Sequence, residues 1–360
     1  MLLAAGGTGG HLFPAFALAE ELAQRGYAID LATDMRGDKY RTGFPARAIH
    51  QIPSATLGGR SPMALARTGW MLSRGILKAY RLLGRLRPVA VVGFGGYPSF
   101  PPLVAASLRN IPTALHEQNA VLGRANRMLA GRVSAVATSF EQVGMLEGRA
   151  WSKARFTGNP VRNIVLEAMK QAYAAPTPDG PLHVLIFGGS QGARFFSDAM
   201  PPALVSLPEH IRARLRIVQQ CREEDLDQVR EVYAAAGIAA ECATFFTDLP
   251  KRIADSHLVI GRAGASSVAE LSVIGRPSLL VPLPHALDND QLQNATSLDE
   301  SGGAWCIEQK DLSAERLRSE LLTLFSEPSK LVAAAEAAKR QGRPDAVLRL
   351  ADLVEELAQA

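Results

Sequence analysis

The run Gly6-Gly7-Thr8-Gly9-Gly10-His11 follows a short apolar segment and opens an apolar-periodic stretch that continues to Arg25. A strand that feeds a glycine-rich turn into a helix makes an anion site. Its backbone N–H groups point outward, the helix dipole favours negative charge, and missing side chains let an anion approach closely. His11 adds an imidazole at the first helical turn, where the positive helix end favours the neutral, proton-accepting ring. The same design returns in "VLIFGGSQGAR", residues 184–194, and a third loop, "GFGGYPSFPP", occupies residues 93–102. The first loop has no third glycine where a dinucleotide fingerprint needs one. Asp30 or Asp34 does stand about twenty residues on, so a nicotinamide cofactor stays an alternative. No G-x-x-x-x-G-K-[ST] run exists, which argues against a phosphoryl-transferring P-loop.

Positioning these loops requires strands that end at them. Apolar runs expected as strands are Leu2–Ala5, Ala28–Ala32, Arg47–Ile52, Val89–Val92, Thr113–Leu115 and Ala135–Thr138. A second series comprises Leu182–Phe187, Arg216–Gln220, Cys242–Phe245, Leu258–Ile260 and Ser278–Val281. Helical stretches follow most of them, and such alternation predicts parallel sheets of βαβ units. Both series open with a strand, a glycine loop and a helix, so two doubly wound domains facing each other across a cleft are expected. The boundary is placed near Gly158-Asn159-Pro160: an N-terminal domain over 1–158, a second domain over 159–330, and a helical tail over 331–360. In open α/β sheets ligands bind at the carboxyl ends of the strands, where all three loops lie.

With 360 residues the chain is long enough for two domains. Its three cysteines, Cys221, Cys242 and Cys306, form no CxxC pair, so neither a disulfide framework nor a zinc site is expected, and they fit a reducing cytoplasm. No apolar run reaches the ~18 residues of a membrane span, and no signal peptide is expected. The net charge of +4 is unevenly spread: residues 39–116 hold eleven Lys or Arg and no Asp or Glu. Within that stretch "SPMALARTGWMLSRGILKAYRLLGRLRP", residues 61–88, predicts a helix with Pro62 in its first turn. Leu65, Leu72, Ile76, Ala79, Leu83 and Leu86 share one face; Arg67, Arg74, Lys78, Arg81 and Arg85 share another, flanked by Met63, Trp70 and Leu77. A basic face with an apolar flank suits an anionic membrane surface, although a plain solvated face has the same pattern. Nucleic acid is not expected as a partner, because no stacking platform, zinc finger or helix-turn-helix pattern accompanies the charge.

The segments "GGTGGHLFP", "GGYPSFPP", "HEQNAVLGRANR", "GNPVR", "GGSQGAR", "RAGASSVAEL" and "PLPHALDNDQLQNA" stand in the order and spacing of the MurG family of bacterial N-acetylglucosaminyltransferases. The resemblance runs from Ala4 to about Ala304, and the ordered set is far more specific than any one segment. It implies an α/β chain of GT-B fold with two Rossmann-like domains, the donor held by the C-terminal one. It also implies an inverting, metal-independent and cofactor-free transfer of GlcNAc from UDP-GlcNAc to the C4 hydroxyl of the MurNAc of lipid I, forming lipid II. Such an enzyme serves peptidoglycan synthesis as a peripheral protein on the cytoplasmic face of the inner membrane.

Inversion is a single displacement, so the attacking hydroxyl needs a positioned base. His11 is one candidate and Glu117 of "HEQN" the other; His116 is read as structural. The resemblance implies donor contacts from Thr8, Gly9, Gly10, Asn119, Arg162 and Ser190. A guanidinium such as Arg162 can hold a diphosphate bidentately. It further implies that Ala265, Ser266, Ser267, Val268 and Ala269 present N–H groups and small side chains to the nucleotide. Glu270 would accept from both ribose hydroxyls, and Gln291 would meet the sugar hydroxyls. Phe246 stands where the family often has an isoleucine against uracil, which leaves its side-chain contact open. Asp288-Asn289-Asp290 has the D-x-D form of a metal motif but is read as a helix start beside the sugar. A second glycosyltransferase reading keeps the fold and changes the acceptor, and a further one is a non-catalytic nucleotide-sugar binding module.

Overall fold

A computed structural model of the chain describes residues 1–7, 9–34, 43–55, 61–284 and 286–359, apart from the side chains of residues 62, 64, 65, 190–193 and 287. The chain divides into two compact units, Met1–Arg162 with Arg343–Ala360, and Asn163–Gly342.

In the first unit the chain runs β1 (Leu2–Ala4), α1 (Gly9–Gln24), β2 (Asp30–Thr33), β3 (Ala48–Gln51), α2 (Pro62–Leu86), β4 (Val91–Gly93) and α3 (Gly96–Leu108). It continues through β5 (Thr113–Glu117), α4 (Arg124–Ala130), β6 (Ala135–Thr138), α5 (Gly148–Trp151) and β7 (Ala154–Phe156). The seven strands are all parallel, in the order β3-β2-β1-β4-β5-β6-β7. β1, β4 and β5 are buried along their whole length, as strands covered by helices on both faces must be. α1 buries Leu12, Ala15, Leu18, Ala19 and Leu22, the three-and-four spacing that faces a helix onto a sheet.

The second unit runs α6 (Asn163–Ala168), β8 (Leu182–Phe187), α7 (Gly189–Val205), α8 (Glu209–Arg212), β9 (Leu215–Gln220), α9 (Leu226–Ala235), β10 (Ala239–Ala243) and α10 (Leu249–Ala254). Then follow β11 (Leu258–Gly261), α11 (Ala265–Ile274), β12 (Ser278–Leu280), α12 (Asp290–Glu300), β13 (Ala304–Cys306), α13 (Ala314–Ser326) and α14 (Pro328–Gln341). Its six strands are parallel in the order β10-β9-β8-β11-β12-β13. In both sheets the order reverses beside the first strand of the series, between β1 and β4 and between β8 and β11. Those are the switch points at which loops splay apart and leave room for a ligand.

Differences from the sequence reading fall at sheet edges and at the chain end. β7 and β13 went unread, because each is a three-residue edge strand. β10 begins at Ala239, three residues earlier than expected, since its register pairs Ala239 with Arg216 and leaves Glu241 exposed. The observed break follows Arg162, not Gly158, and the segment after 330 is no separate tail. α14 stays with the second unit, whereas α15 (Ala346–Gln359) returns to the first and lies on α1. The cause is the amphipathic face of α15: Leu350, Ala351, Leu353 and Val354 join Leu18 and Leu22 in one core.

Candidate functional site

In the first unit the glycine loop lies at the switch point. A Cβ on Gly6 would sit 2.8 Å from Asp34 Oδ1 and 3.0 Å from Pro98 Cβ, so only glycine lets the end of β1 pass between β2 and α3. Gly9 and Gly10 form the first positions of α1, with their N–H groups at the helix's positive end. Thr8 lies outside the described residues. Arg162 reaches the same helix end, its guanidinium carbon 4.2 Å from the centre of the Phe13 ring. The loop, the helix end and the guanidinium thus form one anion-attracting corner within this unit. Of the two acids named above, Asp30 opens β2 at the end of the sheet away from the loop and is bound by Arg47 at 2.6 Å, whereas Asp34 follows β2 at the loop end.

His11 is half-buried at the third position of α1, its Nδ1 3.0 Å from Gln118 Oε1. Glu117 is held by its neighbours. Its Oε1 accepts from the Asn119 N–H at 3.0 Å and Asn119 Nδ2 at 3.2 Å; its Oε2 accepts from the Gly123 N–H at 2.9 Å and Asn126 Nδ2 at 2.7 Å. The side chain is 1 % exposed. Burial, the largest effect, pushes its carboxyl above the usual range against the pull of those donors. With four donors on its two oxygens, Glu117 anchors the 118–123 loop. Asn119 has its NH2 on that anchor too.

In the second unit α7 starts at Gly189, whose N–H donates to Gln220 Oε1 at 3.0 Å, so "GSQGAR" is the helix's first turn and not a loop before it. The side chain of Ser190 lies outside the described residues. α11 starts at the neighbouring loop end, capped by Gly264. Ala265, Ser266 and Ser267 occupy its first three positions, whose N–H groups have no partner inside a helix. Val268 departs from the expectation: its N–H bonds Gly264 O at 3.0 Å and its side chain is buried, so neither is open to a nucleotide. Ser266 Oγ is buried with no hydrogen-bond partner among the described residues. Glu270 is 7 % exposed, one turn farther along α11. Phe246 is buried with the Arg252 guanidinium 4.3 Å from its ring centre, so one ring face is taken. A cavity of about 320 Å³ lies at the ends of β8–β10, lined by Gly189, Gln220, Arg222 and Thr244.

The D-x-D segment is a helix start, as read. Asp288 and Asn289 adopt left-handed conformations at φ 56 and 55, and Asp290 Oδ1 accepts the Gln291 N–H at 2.7 Å. Gln291 Oε1 accepts the Leu283 N–H at 3.0 Å, so the group it can offer a sugar is its NH2 donor.

Several positioning residues escaped the sequence reading. Arg262 is buried and donates to Val281 O at 3.0 Å and Pro282 O at 3.1 Å, and Asn294 holds Ala263 O at 3.1 Å; together they fix the two chain segments that flank α11. Burial lowers the Arg262 guanidinium to about 10. Gln118 and Asn126 were equally silent. For Gln118 the signal existed: residues 116 and 118 stand two apart at a strand end, and so on one face.

α2 carries its two faces as expected. Ala79, Leu82 and Leu83 are buried, whereas Arg67, Arg74, Lys78, Arg81 and Arg85 are exposed beside Met63, Trp70 and Leu77, with Trp70 68 % exposed. The side chain of Leu65 lies outside the described residues. No helix among the described residues is long and apolar enough to cross a membrane.

Comparison with known proteins bears on both units. The model of the glycosyltransferase family 28 N-terminal domain matches residues 1–138, and that of the family 28 C-terminal domain matches residues 183–350. A protein of Chelativorans sp. (strain BNC1), named UDP-N-acetylglucosamine–N-acetylmuramyl-(pentapeptide) pyrophosphoryl-undecaprenol N-acetylglucosamine transferase, is 54% identical over 99% of this chain and 95% of its own. A protein of the same name from Mesorhizobium japonicum is 53% identical over the same shares. The crystal structure of Acinetobacter baumannii MurG superposes with a TM-score of 0.80 at 30% identity, covering 99% of this chain and 98% of that one.

Proposed function

The chain belongs to glycosyltransferase family 28, and on that premise we propose that it transfers GlcNAc from UDP-GlcNAc to the C4 hydroxyl of the MurNAc of lipid I, with inversion and without a metal ion. The observation that carries the chemistry is the corner of the first unit where His11 stands on the helix end that Arg162 also approaches. As the acceptor oxygen bonds to C1 of the sugar, the bond from C1 to the diphosphate oxygen breaks. The hydroxyl proton passes to His11 Nε2, and UDP leaves with the bonding electrons. Helix-end N–H groups and the Arg162 guanidinium meet the charge on the departing diphosphate, the donor arrangement that favours a transition state over a ground state. Within the first unit the proposed contacts are Gly9, Gly10, Asn119 and, by the resemblance, Thr8. Within the second unit the proposed donor contacts are Ser190, Phe246, Ala265, Ser266, Ser267, Ala269, Glu270 and Gln291, with Glu270 on the ribose and Gln291 on the sugar. Glu117 holds the loop in place and takes no proton.

The lipid-linked acceptor calls for docking at a membrane. The exposed Trp70, Met63 and Leu77 next to Arg74, Lys78 and Arg81 support attachment of α2 to an anionic surface, as a peripheral protein on the cytoplasmic face of the inner membrane. The test is UDP release by the purified protein with UDP-GlcNAc and a short-chain lipid I analogue, in buffer with EDTA. Release with that acceptor, and none with diacylglycerol or a polyketide aglycone, is the expected result. Loss of release in EDTA, or equal turnover with the other acceptors, overturns the reading.

A further inference from the structure

Four groups in the first unit form an ordered chain of hydrogen bonds that ends on His11. Gln118 Nε2 lies 3.0 Å from the His116 backbone oxygen and 2.9 Å from His116 Nδ1. A carbonyl oxygen only accepts, so the NH2 end of the amide must face His116. The Gln118 oxygen consequently faces His11, 3.0 Å from its Nδ1. At the far end His116 Nε2 lies 3.1 Å from the Gly158 carbonyl, which again only accepts. His116 therefore carries its proton on Nε2 and accepts at Nδ1. Both backbone carbonyls dictate the same direction for the whole chain.

We propose that Gln118, oriented by His116, is a positioning residue that locks His11 in its Nδ1–H tautomer and so makes Nε2 the proton acceptor. The proposal rests on the reading of His11 as the base. The Gln118 oxygen cannot donate, so the ring nitrogen facing it must bear the proton, and a neutral ring has only one to bear. Nε2 is then left with a lone pair. The position next to it is Gly96, where even a Cβ would come within 3.3 Å of Nε2, so a glycine keeps that approach open. Burial of His116 supports the arrangement, because it holds that ring at about 4 and hence neutral at physiological pH, with Nδ1 able to accept. A histidine in water favours the opposite tautomer, in which Nε2 is blocked by its own proton. The lock thus removes a population of inactive enzyme and does not touch the substrate.

The test reads the tautomer directly, by 15N shifts of ring-labelled full-length protein, together with kcat and the KM for UDP-GlcNAc. The expected ring in the parent protein is Nδ1–H at His11. Gln118→Leu should move the ring toward Nε2–H and lower kcat by about tenfold or more, within the ~10²–10⁴ that a general base supplies, with little change in KM for the donor. Gln118→Glu retains an oxygen facing Nδ1 and should keep the proton on that nitrogen, but its second oxygen faces the two acceptors of His116, so turnover should recover only in part. His116→Leu removes the ring nitrogen that the amide's NH2 meets and leaves only the backbone oxygen of residue 116; it should weaken the lock to mixed tautomers, and it serves where Gln118→Leu fails to fold. A parent ring protonated at Nε2, or a ring unchanged in both leucine variants, overturns the lock. So does a moved tautomer with unchanged kcat. His11→Ala with unchanged kcat would instead remove the base itself, while the 15N result on the parent protein would still stand or fall alone.

Discussion

His11 and Glu117 are both titratable groups at the same loop cluster, and their surroundings separate them. A base needs a lone pair that substrate can reach; Glu117 has four donors on its oxygens, and His11 Nε2 faces a glycine. Residue types named both candidates, but the choice rests on Asn119, Gly123 and Asn126 converging on one carboxylate, which no spacing announces. His116 offers a prediction at this scale. In the unfolded chain its ring titrates near 6.5, and in the native protein burial lowers it to about 4. Between those values the unfolded chain takes up a proton that the native ring refuses. Its contribution is therefore complete above pH 6.5 and is lost as pH falls from 6.5 to 4, by up to about 3 kcal/mol. His116→Asn keeps an oxygen for Gln118 and removes the titration. Urea unfolding of the variant should show a shallower loss of stability over that interval than the parent; equal slopes would contradict it.

At the scale of elements, strands with central places in the sheets were legible as apolar runs, and helices as periodic faces. The three-residue edges β7 and β13 were not, because an edge strand is specified by its neighbour more than by its own residues. α2 shows two kinds of information in one helix. Its inner face is set by close packing: a Cβ on Gly75 would lie 2.1 Å from the Pro53 carbonyl oxygen and 3.1 Å from Pro101 Cγ. Its outer face is set by charge. The two should separate by mutation. Gly75→Ala forces the helix off its neighbours and should cost about 1–3 kcal/mol, seen as a lower melting temperature, with vesicle binding intact once folded. Combined reversal of Arg74, Lys78 and Arg81 to Glu touches no buried group. It should leave the melting temperature within a degree or two and abolish co-sedimentation with anionic vesicles. Retained sedimentation after reversal would make the outer face an ordinary solvated one.

For the molecule as a whole, the sequence pattern named two Rossmann-like units but not how the chain shares itself between them. Local periodicity says that residues 346–359 form an amphipathic helix; it does not say whose core that helix completes. The answer lies in contacts more than 300 residues apart in sequence. Arg25 bonds Asp352 at 2.6 Å and Glu355 at 2.5 Å, while Leu350, Leu353 and Val354 pack with Leu18 and Leu22. The second unit is one continuous stretch, Asn163–Gly342, and the first is not. Removal of residues 343–360 should therefore damage the half of the molecule farther away in sequence. It uncovers the face of α1 against which Leu350, Ala351, Leu353 and Val354 pack, at roughly 25 cal/mol for each Å² uncovered. Hydrogen exchange on the truncated chain should show α1 and β1 losing protection while β8, β9 and α11 keep theirs. A fragment of residues 163–342 should unfold cooperatively and be stabilised by UDP-GlcNAc, whereas 1–162 alone should not fold. Uniform loss of protection across both units would mean that the two are one cooperative body, and that the last helix supports more than the sheet it lies on.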